Sequence, residues 1–123
     1  MVSADSLQQH FPWGWLLLTD SESNEDIPSA PNADPVLVGS TYLLVRVLHE
    51  VDGEVAVQVG PSAGDGLAQE FSGPLDVPSG RLRIGDLLDE IGSIVVEVPT
   101  LKCDVTVSMD AQTHAERIGI TVD

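Results

Sequence analysis

Apolar and polar residues alternate along most of this chain with the period of two that belongs to strands. Phe11, Trp13, Trp15 and Leu17 recur at every second position, and Leu16 and Leu18 fill the opposite parity. That pattern predicts a strand covered on both faces, and Pro12 predicts a place for it at a sheet edge. In TYLLVRVLHEV, Leu43, Val45 and Val47 share one parity while Tyr42, Leu44, Arg46 and Leu48 share the other. Asp52-Gly53 follows and EVAVQV resumes the alternation, so the stretch predicts a β-hairpin closed by a type I′ turn.

Further along, Leu67 to Phe71 and Leu75 to Val77 predict short strands split by a bulge or corner at Gly73-Pro74. Arg81 to Ile84 predicts a strand with Leu82 and Ile84 turned inward. Leu87, Leu88 and Ile91 have room for a single helical turn with Asp86 as its cap. Ile94 to Val98, Asp104 to Met109 and Arg117 to Val122 alternate again. The last two predict a hairpin with Val105, Val107 and Met109 opposite Ile118, Ile120 and Val122.

About seven to eight short strands, turn signals between them and at most one short helical turn predict an all-β fold, an antiparallel β-sandwich. A closed barrel is the alternative. A chain of 123 residues fits a single domain spanning residues 1–123. The segment 19–35, TDSESNEDIPSAPNADP, has three prolines and only Ile27 as a sizeable apolar side chain, and it reads as an acidic Pro/Ser-rich loop.

Charge narrows the partners. Five Lys and Arg stand against 20 Asp and Glu, a net charge of −15 at pH 7. An anion of that strength repels phosphate backbones and acidic membranes, so neither nucleic acid nor a lipid surface is the expected partner. With 42 % hydrophobic residues the chain can still bury a core. Residues 1–20 lack a basic leader and no apolar run reaches the length of a membrane span. A lone cysteine, Cys103, fits a cytoplasmic location.

Motifs for chemistry are missing. His10, His49 and His114 are far apart in sequence, and there is no HExxH, CxxC or GxSxG. Gly60, Gly64 and Gly66 superficially suggest a phosphate loop, but no Lys accompanies them and Asp65 has the wrong sign. Asp104 beside Cys103 disfavours the thiolate. The expectation is a non-enzyme with no cofactor and no metal. What remains is the acidic N-terminal third: residues 1–45 hold Asp5, Asp20, Glu22, Glu25, Asp26 and Asp34 and no Lys or Arg. Asp20, Glu22, Glu25 and Asp26 are the candidate docking face for a basic protein, since opposed fields accelerate association. In the alternative reading, Trp13 and Trp15 line a groove that binds carbohydrate or lipid.

The succession of acidic N-terminal region, YLLVRV, LAQEFSGPLDVPSGRLRIGDL and closing ERIGITV resembles small bacterial β-sandwich proteins of the competence protein J-like kind. The resemblance runs from about Val36 to Val122, with VPSGRL, Val77 to Leu82, as its most family-like piece. It implies binding and inhibition of a cognate nuclease; the reading it joins is a non-enzymatic acidic β-sandwich acting as an inhibitor or immunity-type factor for a basic nuclease or toxin. Leu101 to Met109 lacks the Tyr and paired Arg of the Gly-Tyr-Arg-x-Arg-Val strand of such proteins, so no site residue is carried over.

Overall fold

The computed structural model describes residues 5–11, 14–22, 36–49, 51–60, 66–86, 92–98, 101–111 and 115–122. Ten strands succeed one another: β1 (Asp5–Gln9), β2 (Trp15–Asp20), β3 (Val36–Val38), β4 (Tyr42–Arg46), β5 (Val55–Val59), β6 (Ala68–Asp76), β7 (Arg81–Asp86), β8 (Ser93–Glu97), β9 (Lys102–Met109) and β10 (Arg117–Val122). No helix separates them among the described residues, and the helical turn expected after Asp86 lies outside these residues. The strand count exceeds the expected seven to eight. β1 has the unpromising sequence DSLQQ, and β3 is only three residues long.

The strands form two five-stranded sheets, ordered β1-β5-β10-β9-β6 and β3-β4-β2-β7-β8. Neighbours are antiparallel, except that β5 and β10 run parallel. Two separate sheets replace the barrel alternative. Leu16, Leu18, Leu43, Val45, Leu82, Ile84, Ile94 and Val96 of the second sheet meet Val55, Val57, Val59, Val105, Val107, Met109, Ile118 and Ile120 of the first in one hydrophobic core. Each such side chain contributes on the order of 1.5–3 kcal/mol of burial free energy before ordering entropy is subtracted.

The C-terminal hairpin has the expected register, with Ile118 opposite Met109, Ile120 opposite Val107 and Val122 opposite Val105. The Asp52-Gly53 hairpin does not form. β4 and β5 belong to different sheets, so the link between them is a corner that changes layers. Gly53 still has a positive φ of 147°, and the Asp52 amide donates to the His49 carbonyl at 2.9 Å. The turn residues marked a reversal correctly; which sheet the next strand joins is decided by pairing with β1 and β10.

β2 is central, between β4 and β7, and is not the edge strand that Pro12 suggested. Its sequence explains why: Leu16 and Leu18 enter the core, and Leu17 is buried on the opposite face with Tyr42 and Leu44. β6 is one continuous strand whose bulge lies between Gln69 and Phe71, not at Gly73-Pro74. Because β6 is an edge, Pro74 is accommodated inside it without a lost ladder bond on both sides.

Candidate partner-binding surface

The registers define two ends of the fold. β2 finishes at an upper end shared with the 77–80 turn, and the links from β4 to β5 and from β9 to β10 meet at the lower end. Asp20 closes β2 and is only 3 % exposed. Its Oδ1 accepts from the Glu22 amide and its Oδ2 from the Ser79 amide, each at 2.8 Å. Asp20 therefore ties the second sheet to the 77–80 turn and presents no charge to a partner. Burial removes it from the expected docking face. Glu22 is exposed. Glu25, Asp26 and Trp13 lie outside the described residues.

Trp15 is half-buried on the outer face of the second sheet, packed with Leu37 against Leu17, Tyr42 and Leu44. The Arg46 guanidinium stacks over its ring, 4.6 Å from the centroid. An indole already covered by a cation and seated in a cluster is not an open stacking ledge for a sugar, and the groove reading loses its support at Trp15.

Strand alternation places the cations. Arg46, Arg81 and Arg83 project from the outer face of the second sheet, and Lys102 and Arg117 from that of the first, so all five cations of the chain sit on sheet faces. Lys102 pairs with Asp76 at 3.8 Å. The loops of the lower end carry the exposed carboxylates Asp52, Glu54, Asp110 and Glu116 and the 81 % exposed Val51, with Arg117 3.9 Å from Asp110, while Glu97 and Asp104 are exposed on the sheet faces. Two backbone bonds stitch this end together, from Leu48 N to Ala115 O and from Ala56 N to Glu116 O. Asp110 Oδ1 accepts from the amides of Glu116 and Arg117, at 3.0 and 3.2 Å, and holds the second loop in shape. Sequence reasoning passed over this cluster. VDGE and DAQTHAE are each acidic in the sequence, but only the non-local stitching makes them one surface.

The other candidate groups are quiet. His49 Nδ1 accepts from the Val51 amide at 3.2 Å, which makes it a local turn residue. Among the described residues no group of three or more His, Cys, Asp or Glu side chains is arranged to hold a metal ion. Cys103 is buried, and burial together with the neighbouring Asp104 charge pushes its thiol up to about 11. Such a thiol stays protonated at neutral pH and is a poor nucleophile.

With the two sheets and their connections in place, the backbone can be set beside solved structures. The chain is similar in fold to ComJ. The match to this Bacillus subtilis inhibitor of the DNA-degrading activity of NucA has a TM-score of 0.72 and covers 99 % of this chain and 97 % of that one, at 7 % identity. A second likeness is to the protein of crocagin biosynthetic gene J, with a TM-score of 0.53, 15 % identity and coverage of 99 % and 96 %. No protein-family model matches the chain, and no curated protein matches it in sequence. At these identities the likeness is one of fold.

Proposed function

We propose that this protein is a non-enzymatic inhibitor or immunity-type factor that acts in the cytoplasm by binding a basic protein of the nuclease kind. The observation that supports it most is the whole-chain fold likeness to ComJ, joined to a net charge of −15. Nuclease surfaces that hold nucleic acid carry clustered Lys and Arg. A strongly anionic β-sandwich competes for such a surface, and its field raises the rate of encounter. In this reading Glu22, Glu25 and Asp26, with the carboxylates of the lower end, supply the attracting field. Asp20 has a structural task.

The test is inhibition. The purified chain is titrated into DNA-degradation assays with a panel of basic nucleases, NucA among them, at low and at physiological salt. Stoichiometric inhibition of at least one nuclease, weakening as salt is raised, is the expected result. If no nuclease in the panel is slowed even at large molar excess and low salt, the reading fails.

A further inference from the structure

A sheet edge is a row of unpaired amides and carbonyls, and folded proteins normally blunt it with a proline, a bulge, a lysine or extreme shortness. Among the described residues four edges exist, and two are blunted: β6 carries Pro74 and a bulge, and β3 has three residues; β1 is unblunted but offers Leu7 as its one apolar side chain. β8, with the sequence SIVVE, has none of these devices, and its Val95 is 54 % exposed.

The hydrogen-bond register shows which groups β8 leaves over. Val98 N donates to Gly80 O, which makes the pairs Leu82–Val96 and Ile84–Ile94 the bonded ones. On the other side of β7, Ser21 N donates to Arg81 O, in agreement. The amides and carbonyls of Ser93, Val95 and Glu97 therefore point along the free edge. Their side chains share the outer face of the sheet and are all exposed.

We infer that this edge of β8 is the docking strand for an extended segment of the basic partner, which extends the second sheet by one strand. The inference rests on the inhibitor reading for the partner's charge. Main-chain bonds to Ser93, Val95 and Glu97 hold the segment, an apolar side chain of the partner packs beside Val95, and a Lys or Arg faces Glu97. Arg81 and Arg83 of β7 lie opposite Glu97 and Val95 on the inner side of this edge, so it is the net charge of the whole molecule that selects the occupant. A second copy brings another −15 to the same edge, whereas a cationic strand brings attraction.

The probe is a short capped peptide of alternating lysine and valine, with an N-methylated version of identical charge as control. The plain peptide is expected to bind the intact protein and to slow hydrogen exchange at the amides of Ser93, Val95 and Glu97. N-methylation at alternate residues, or Val95→Pro, is expected to weaken binding about tenfold by removing main-chain bonds. Proline is tolerated there because the Val95 N–H faces outward, and an unchanged urea midpoint verifies the fold of the variant. Equal binding of the plain and methylated peptides would show charge attraction alone and overturn the inference. Dimerisation of the chain by itself, abolished by Val95→Pro, would assign the edge to a second copy and overturn it too. A nuclease inhibited equally by wild type and Val95→Pro sinks the edge but leaves the inhibitor reading standing; a panel with no inhibited nuclease sinks that reading.

Discussion

Asp20→Asn separates a structural carboxylate from a docking charge. The native side chain is nearly sealed from solvent, and each oxygen accepts one backbone N–H at 2.8 Å. Asparagine retains a single acceptor and turns its NH2 toward the second N–H, so one charge-assisted bond is lost and a donor faces a donor. A hydrogen bond to a charged group contributes about 1.5–3 kcal/mol, and an unsatisfied buried donor costs about 1–3 kcal/mol. Because Glu22 is exposed, its amide can return to water, which places the net loss near 2 kcal/mol. Asp20→Ala, which abandons both amides, should lose about 3 kcal/mol. With a urea slope of about 1–3 kcal/mol per molar, the midpoint of Asp20→Asn falls by roughly 1 M while the slope is unchanged. Amide exchange should quicken at Glu22 and Ser79 in particular. An unchanged midpoint together with slower association to a basic nuclease would refute the structural assignment and restore Asp20 to the docking face.

Neutralising Glu22, Glu25 and Asp26 to Gln and Asn, with Asp20 left intact, should keep the unfolding midpoint while slowing association with an inhibited nuclease and flattening its salt dependence; stopped-flow traces that match wild type across salt would reduce these charges to solubility. Gly14→Ala should cost at least about 1 kcal/mol in urea unfolding, because φ is +73° and the new methyl meets Val47 O at 3.0 Å. Since the Cys103 thiol lies above its unfolded value of 9.0, at about 11, proton release favours the unfolded chain. Stability should therefore hold below pH 9 and decline between pH 9 and 11, and Cys103→Ser should flatten that decline.

The fold was legible wherever a strand's burial and its nearest partner are both local. β9 and β10 are joined by a short loop and carry matched Val, Ile and Met, so alternation set their register. β4 and β5 have equally good alternation, yet their turn residues report only a change of direction. The choice of layer depends on β1 and β10, dozens of residues away in sequence. β1 left no signal because DSLQQ contributes a single apolar side chain, Leu7, to the core. At the surface, Asp20 looked like its acidic neighbours, for a carboxylate that accepts two amides has the same letter as a solvated one. The free amides of β8 are equally silent in sequence, since backbone polarity is common to every residue.

The position of β10 has a temporal consequence. This strand lies between β5 and β9, so residues 117–122 join two halves of a sheet whose other members are all made earlier. Before that segment is made, β1 with β5 and β6 with β9 have no strand between them to join them, and the valines of β5 and β9 lack the Ile118 and Ile120 they pack beside in the finished sheet. Pairings of such sequence separation form on the millisecond-to-second scale and leave hydrophobic faces and strand edges open to strangers in the interval. Until residues 117–122 are made and inserted the first sheet stays half closed, and the speed of that insertion sets how long its apolar faces stand open.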